Sequence, residues 1–184
     1  IDVGGESTRP GATPVTEEEE CARVLDVVKA LASKGICVSI DTRHAPVARA
    51  ALEAGASIIN DVSGFRDPAM VDLAASCDAG LVVMHMGGDD PRTMQNEPVY
   101  EDVVAEVRDY LKAQADNLIA HGVARERICL DPGPGFGKTA KQTIELMRNF
   151  HEFNRLGFPT MVAVSRKSYI GEAYHIEDPK ERDS

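Results

Sequence analysis

Short apolar runs alternate with helical stretches along the whole chain. Each run ends in a polar or charged residue and is followed by a turn, a pattern that predicts a β-strand. The predicted strands are 1–8, 36–42, 57–63, 80–86, 128–133 and 160–168, and the predicted helices between them are 17–33, 45–55, 68–77, 99–121 and 139–156. Because each parallel crossover needs a helix to return the chain, this alternation predicts an α/β protein with a parallel sheet.

The polar residues at the strand ends help to choose between two architectures. Every predicted strand carries them at its carboxyl end: Asp2 and Glu6, Asp41, Asn60 and Asp61, His85, Asp131, and Ser165 with Lys167. An open doubly wound sheet concentrates its site at one crevice, whereas a barrel brings all strand ends around a single mouth. We therefore predict a (β/α)₈ TIM barrel, of which residues 1–184 form a single domain with about six βα units, incomplete at both ends. The chain also starts without Met, so we expect an internal segment of a longer protein.

Composition narrows the class of protein. The 184 residues are 43% hydrophobic, enough for one domain with a sizeable core, and the net charge of −10 argues against nucleic acid and anionic membranes as partners. The cysteines occur singly, without a Cys-x-x-Cys pair, and Cys37 and Cys129 lie in apolar runs, which predicts that these two are buried thiols in a reducing compartment such as the cytoplasm. No apolar run approaches the length that spans a membrane.

The glycine-rich stretch "LDPGPGFGKT" (130–139) invites a nucleotide-binding interpretation, which its spacing contradicts. A P-loop ending in this Gly-Lys-Thr needs glycine at Pro132, and a dinucleotide-binding loop needs glycine at Lys138. The candidate site residue of this stretch is instead Asp131, at the end of an apolar run. Taken singly, Lys138, Arg43 and Arg66 are interpreted as solvated or helix-start charges, and His85 as a structural histidine.

Five motifs, taken in order, resemble those of dihydropteroate synthase, an enzyme family of the folate pathway and a sulfonamide target. They are "IDVGGESTRPG", "SIDT", "IINDVSG", "DPGPGFGK" and "SRKS". The resemblance covers essentially the whole chain. It implies a (β/α)₈ barrel and a transferase that joins 6-hydroxymethyl-7,8-dihydropterin diphosphate to p-aminobenzoate, with release of pyrophosphate.

The resemblance also implies roles for individual residues. The pterin diphosphate site would be lined by Thr8, Asp41, Asn60, Met84, Asp131 and Lys167. The p-aminobenzoate site would be formed by Arg9, Pro10, Phe136 and Ser165. Arg9 and Lys167 are the residues expected to be catalytic. These residue types suit the chemistry, because a carboxylate such as Asp131 accepts the adjacent N–H and amino groups of a pterin, and a lysine can donate to the ring carbonyl.

The implied reaction needs no protein nucleophile, because pyrophosphate is a good leaving group and the dihydropterin can stabilise positive charge at its exocyclic methylene. The protein would align two substrates and stabilise the departing anion. Mg²⁺ is the expected cofactor, neutralising the diphosphate. In the family pattern an asparagine of an "NVTPDSF" loop approaches this ion, so we expect no metal ligand in this segment.

Two alternatives stay open at this point. A pterin-binding domain that passes a methyl group from a folate to a corrinoid shares the barrel and the Asp/Asn contacts, but should lack the "STRPG" loop and the "SRKS" lysine. A non-catalytic pterin-binding relative is the second alternative. Because the first and last barrel strands are not seen here, we expect residues 1–184 alone to be inactive. A homodimer is expected for the full-length protein by resemblance only.

Overall fold

The computed structural model of the protein describes residues 1–8, 11–88 and 99–182. Its strands are β1 (Asp2–Gly4), β2 (Ser39–Asp41), β3 (Ile58–Asp61), β4 (Gly80–Met84) and β5 (Ile128–Asp131). Its helices are α1 (Glu17–Ala32), α2 (Ala45–Glu53), α3 (Pro68–Ala75), α4 (Val103–Ala120), α5 (Ala140–Arg148), α6 (His151–Asn154) and α7 (Ser168–Tyr174), with short 3₁₀ turns at Arg125–Arg127 and Pro179–Glu181. In this described part no helix is both long and apolar enough to cross a membrane.

The strand order distinguishes the two predicted architectures. The five strands are all parallel, and they lie in the sheet in the order in which they occur in the chain. Doubly wound sheets reverse their strand order and cover both faces with helices, whereas an unreversed order with right-handed crossovers keeps every helix on one face. Helices α1 to α4 contact one another successively, as in the outer ring of a barrel. The chain therefore has the architecture of consecutive βα units of a (β/α)₈ barrel.

The two faces of the sheet differ because successive side chains of a strand point in opposite directions. One set faces the helices and belongs to the main hydrophobic core: Ile40, Ile59, Leu81, Val83, Ile128 and Leu130. The alternate set faces the interior of the barrel and combines small or apolar residues with most of the polar strand residues, which are Asp2, Ser39, Asp41, Asn60, Cys129 and Asp131. Helix packing thus stabilises the fold from one side and leaves the other side for chemistry.

The sixth apolar run, predicted as a strand over 160–168, forms a single parallel bridge between Thr160 and Leu130. Leu130 donates to the carbonyl of Pro159, and Met161 donates to the carbonyl of Leu130. The next donor along this ladder would be residue 132, which is a proline without an N–H. Pro132 therefore ends the pairing, and the prediction of a full strand here was wrong in extent.

The helix boundaries depend on local capping. Thr16 and Glu19 form the capping box that the acidic run predicts at the start of α1. A second box, between Thr139 and Gln142, starts α5. The helix predicted over 139–156 is divided at Asn149, where the backbone leaves helical geometry and α6 follows. Helix α7 had no counterpart among the predicted elements.

The assignment of faces can be tested on two adjacent residues of β5. Leu130 is fully buried against the helices, so Leu130→Ala should lower the free energy of unfolding by about 3 kcal/mol. Cys129 faces the barrel interior and is partly exposed, so Cys129→Ala should change it by less than about 1 kcal/mol. Urea denaturation followed by circular dichroism measures both variants, and equal losses would contradict the assignment.

Candidate functional site

Four polar side chains meet at the carboxyl ends of neighbouring strands. Asp41 pairs in register with Asn60, and Met84 pairs in register with Asp131. All of these residues occupy the interior-facing positions of their strands, so their side chains lie around one mouth. Lys167 approaches from the segment before α7, and the pKa values of Asp131 and Asp41 both respond to its charge. The four residues Asp41, Asn60, Asp131 and Lys167, far apart in sequence, therefore share one end of the barrel interior.

Asn60 is held in a defined orientation by Asp2. The Asn60 side-chain Nδ2 donates to Asp2 Oδ2 at 3.1 Å, and Ser39 Oγ donates to the other oxygen of Asp2. Asn60 is 8% exposed, and its Oδ1 has no hydrogen-bond partner among the residues that the structure describes. A buried acceptor without a partner costs free energy that a ligand N–H can recover. The sequence interpretation did not identify Asp2 as this partner, although its interior-facing position in β1 was a usable signal.

Asp61 follows Asn60 directly but faces the helices. Its carboxylate accepts hydrogen bonds from the backbone N–H groups of Ser63 and Phe65 and from the Ser63 hydroxyl. These bonds fix the turn after β3, as expected for an aspartate that starts a turn. The interpretation of Asp61 as the structural member of the pair is confirmed.

Asp131 is 1% exposed and ends β5. Its Oδ1 accepts the backbone N–H of Gly133 at 2.8 Å. Burial raises its pKa, while this hydrogen bond and the charges of Lys167 and Lys138 oppose the rise. Because each carboxylate oxygen has two lone pairs, the side chain keeps capacity for the two adjacent N–H groups of a planar ring.

Lys167 and Phe136 lie on the same side of the mouth. The Lys167 Nζ is 4.2 Å from the centroid of the Phe136 ring, a cation–π contact. Burial lowers the pKa of Lys167, and the carboxylates of Asp131 and Asp41 oppose that change. Phe136 also packs against an apolar cluster of Val62, Met84 and Met86. An aromatic and apolar wall thus stands beside the polar residues.

The glycine-rich loop after β5 is shaped by contact with the end of β4. A Cβ at Gly133 would lie 2.0 Å from the carbonyl oxygen of His85, and a Cβ at Gly137 would lie 2.6 Å from the Cα of Gly87. Both glycines have positive φ, at 63°. These glycines allow close approach of two backbone segments. The interpretation of the loop as something other than a phosphate cradle agrees with this geometry.

Arg43, Arg66 and Lys138, interpreted as solvated or helix-start charges, each stand one residue before a helix N-cap, in agreement with the helix-start alternative, but they also bind groups of the protein. Lys138 is buried and donates to Gly133, Phe136 and His85. Arg43 pairs with Glu6 at 3.1 Å, and half-buried Arg66 donates to the backbone carbonyls of Met86 and Gly88. The solvated alternative was wrong for buried Lys138, because composition near a helix start does not reveal which carbonyl groups a loop brings within reach. The structural interpretation of buried His85 is supported by its contact with Lys138.

Asp41 lies in a carboxylate-rich environment. Burial raises its pKa to about 7, the negative charges of Asp2, Asp61 and Glu20 add to the rise, and Lys167 opposes it. A cationic or N–H-donating ligand would favour the charged carboxylate. These surroundings therefore favour the protonated form of Asp41. A ligand with several N–H donors would favour loss of that proton.

Two further predicted site residues lie outside the helices and strands. Thr8 is half-buried in the loop after β1, and Ser165 is exposed in the turn before Lys167. In that turn Arg166 has a positive φ of 56°, a conformation uncommon outside glycine and often found at functional sites. Arg9 and Pro10 lie outside the described residues. Across 1–8, 11–88 and 99–182, no group of three or more His, Cys, Asp or Glu side chains could hold a metal ion.

The fold and this polar mouth agree with a known family. A family model described as pterin binding enzyme matches residues 1–184, and the chain belongs to that family. The dihydropteroate synthase of Synechocystis sp. is 48% identical over 184 residues, which cover 99% of this chain and 63% of that protein. This chain therefore spans less than two thirds of that relative's length.

Solved structures of dihydropteroate synthases have the same fold as this chain. The dihydropteroate synthase of Thermus thermophilus in complex with 4-aminobenzoate superposes with a TM-score of 0.92 at 47% identity, over 98% of this chain and 68% of that chain. The Burkholderia cenocepacia dihydropteroate synthase complexed with 7,8-dihydropteroate superposes with a TM-score of 0.90 at 45% identity, over 99% of this chain and 67% of that chain.

The environment of Asp41 predicts a pH-dependent stability. Its pKa in the fold, about 7, lies above its ordinary value of 3.8, so the folded state holds an extra proton between these values. The stabilisation from Asp41 is therefore present at pH 5 and lost as the pH rises to 8. The variant Asp41→Asn cannot titrate there. Between pH 5 and pH 8 the wild type should lose about 2 kcal/mol of unfolding free energy relative to this variant. Urea denaturation at both pH values measures this loss, and parallel pH dependences would refute the assignment.

Proposed function

We propose that this chain forms the substrate-binding mouth of a dihydropteroate synthase, which condenses 6-hydroxymethyl-7,8-dihydropterin diphosphate with p-aminobenzoate. The observation that carries the proposal is the meeting of Asp41, Asn60, Asp131 and Lys167 at one end of the barrel interior. The ligands named for the related structures, 4-aminobenzoate and 7,8-dihydropteroate, are a substrate and the product of this reaction. They support the proposal without replacing a test on this protein.

The polar groups complement the edge of a pterin. Asp131 accepts from the adjacent ring N–H and amino group, and the Oδ1 of Asn60 accepts a further N–H. Asn60 acts here as an acceptor, because its Nδ2 is already donating to Asp2. Lys167 donates to the ring carbonyl, and Met84 packs against the ring face. A ring analogue lacking one of these N–H groups would leave a buried acceptor unpaired and bind weakly.

The aryl amine, p-aminobenzoate, packs against the adjacent apolar wall. The Phe136 ring lies beside Lys167. In the proposed complex, p-aminobenzoate packs against this ring, next to the pterin methylene. Ser165, in the turn before α7, is exposed and can approach the carboxylate of this substrate. By family resemblance, Thr8 is assigned to binding of the diphosphate, and Arg9 and Pro10, which lie outside the described residues, are assigned to binding of the aryl substrate. Arg9 and Lys167 carry the catalytic roles proposed for this chain.

The reaction is a substitution at carbon. The amine nitrogen of p-aminobenzoate forms a bond to the exocyclic methylene, the bond from that carbon to the diphosphate oxygen breaks, and the amine loses a proton to the departing pyrophosphate or to water. Positive charge develops on the pterin and methylene as the bond breaks. The carboxylates of Asp41 and Asp131 stabilise this charge, while the protein holds the amine in line with the carbon.

The cofactor proposed for the whole protein is Mg²⁺, which would neutralise charge on the diphosphate. The residues described here contain no cluster suited to hold it. No metal ligand is assigned among the described residues, and no step is derived through the ion. A cytoplasmic location and a homodimeric assembly are likewise proposed from the family resemblance.

The corrinoid methyltransferase alternative is less well supported. Its expected sequence lacks both the "STRPG" loop and the "SRKS" lysine, and this chain contains both. Lys167, the lysine of that motif, lies beside Phe136 and responds to Asp131 and Asp41. The direct test is to supply dihydropterin diphosphate and p-aminobenzoate to the full-length protein and to detect dihydropteroate by mass spectrometry. Product without a corrinoid supports the synthase, and methyl transfer to a corrinoid supports the alternative.

Asp131 provides a binding test that does not depend on turnover. Asp131→Asn keeps the size of the side chain and an acceptor for the Gly133 N–H, but it replaces the second acceptor with a donor. We expect pterin affinity to fall at least about 100-fold, because an amide donor would then face the pterin's N–H groups.

Titration calorimetry with the pterin diphosphate measures this affinity. The control is Asp78→Asn, an exposed carboxylate away from the mouth, which should bind as the wild type does. Undiminished pterin affinity in Asp131→Asn would refute the role assigned to Asp131.

A further inference from the structure

Lys138 is a buried cation that the proposed reaction does not use. It is 3% exposed, and its Nζ lies 2.9 Å from His85 Nδ1, 2.9 Å from the carbonyl of Phe136, 3.0 Å from that of Gly133 and 3.3 Å from that of His85. An ammonium has three N–H groups and a neutral amine only two, so four surrounding acceptors favour the ammonium. Burial opposes it by lowering the pKa of Lys138 to about 7, and Asp131 favours it.

His85 is the one side-chain group in this set of acceptors. Because an ammonium can only donate, Nδ1 must be unprotonated, which leaves the ring neutral with its proton on Nε2. Burial, with the charges of Lys138 and Arg66, lowers the pKa of His85 to about 2. The ring packs edge-on against Tyr110, with centroids 4.9 Å apart. The imidazole is therefore a fixed, neutral acceptor.

Two of the carbonyl partners of Lys138, those of Gly133 and Phe136, lie within the glycine-rich loop, and the third, that of His85, lies just after β4. Gly133 begins the turn that leads to Phe136, and Phe136 N donates back to the Gly133 carbonyl at 3.0 Å. Gly87 N donates to the Phe136 carbonyl at 3.3 Å, and the Tyr100 hydroxyl donates to that of Gly137 at 3.0 Å. The Gly87 bond fastens the backbone that carries Phe136 to the segment after β4, while the other two bonds close the turn and join the loop to Tyr100.

We propose that Lys138 is a positioning residue for the aryl-amine substrate: seated on neutral His85, it holds the carbonyls of Gly133 and Phe136 so that the Phe136 ring stays beside Lys167. This inference rests on the proposed synthase function. Lys138 contacts neither substrate and acts through Phe136. The position of Asp131 depends less on Lys138, because β5 already fixes the backbone of Asp131.

A purely structural role for Lys138 fits the geometry less well. Buried ion pairs can often be replaced by apolar side chains of similar volume without loss of stability, so a buried charge is not needed if filling space is all that is required. What lysine adds is a set of donors that bind two carbonyls of a loop rich in glycine. Gly133, Gly135 and Gly137 all have positive φ. Such a loop has many accessible conformations in the absence of these bonds.

The first test is Lys138→Met in the full-length protein that contains this chain. Methionine keeps most of the volume and removes the donors. We expect KM for p-aminobenzoate to rise about tenfold while KM for the pterin diphosphate changes less than about threefold. The control is Lys141→Met, an exposed lysine in the first turn of α5, which should leave both constants unchanged. Equal rises in both constants, or no rise, would overturn the proposal.

A double-mutant cycle tests whether Lys138 acts through Phe136. Phe136→Ala should itself raise KM for p-aminobenzoate. Adding Lys138→Met to that variant should cause no further rise, because the ring that it positions is already absent. Independent, multiplicative rises would show that Lys138 acts by another route and would overturn the inference.

A second pair of variants decides the question if Lys138→Met does not fold. His85→Asn places a carbonyl oxygen where Nδ1 stands, whereas His85→Leu removes the acceptor. We expect near-normal KM for p-aminobenzoate with Asn and the raised value with Leu, and equal behaviour of the two would refute the inference. A wild type that forms no dihydropteroate would count against the proposed function, and this inference would fall with it. An active wild type with unchanged KM values in the variants would count against this inference alone.

Discussion

The two-residue alternation of side chains in the parallel strands is the constraint on which the site depends. One set of side chains packs with the helices and provides the apolar burial that stabilises the fold, including Ile40, Ile59 and Leu130. The other set faces inward and carries Asp41, Asn60 and Asp131 to one mouth. A register slip of one residue would exchange the two sets, placing carboxylates among the helices and isoleucines in the mouth. The strand register that buries the apolar side chains is therefore the same register that brings the polar side chains to the mouth.

The charges in the mouth are balanced for a ligand that donates hydrogen bonds. Burial raises the pKa of Asp131, and burial with neighbouring carboxylates raises that of Asp41. Lys167 only partly opposes these effects, and Asn60 keeps an acceptor without a partner among the described residues. In the proposed function, a flat ring with several N–H groups would supply donors to all of these acceptors together. The electrostatic requirement of the site and the hydrogen-bonding pattern of a pterin are therefore complementary.

Much of the fold could be predicted from the sequence, because it depends on local patterns. The five strands and the capping box of Thr16 and Glu19 follow from alternation and from helix-start chemistry. The extent of the sixth strand could not be predicted from its own apolar residues, since Pro132 on the neighbouring strand removes the donor that would continue the ladder. The same limit applies to the site. Strand ends identified Asp41 and Asp131, but the bond from Asn60 to Asp2 joins residues 58 positions apart.

The loop ending in Gly-Lys-Thr illustrates how one composition serves two physical purposes. In a phosphate-binding loop, glycines expose backbone N–H groups and the lysine meets the anion. Here the glycines let the loop approach the backbone of His85 and Gly87, and the lysine turns inward to carbonyl oxygens. The difference follows from what surrounds the lysine: acceptor dipoles and a neutral imidazole can hold an ammonium, and they leave it no free donor to offer a phosphate. The nearby carboxylate of Asp131 reinforces this outcome, because its charge favours the ammonium and would repel an anion.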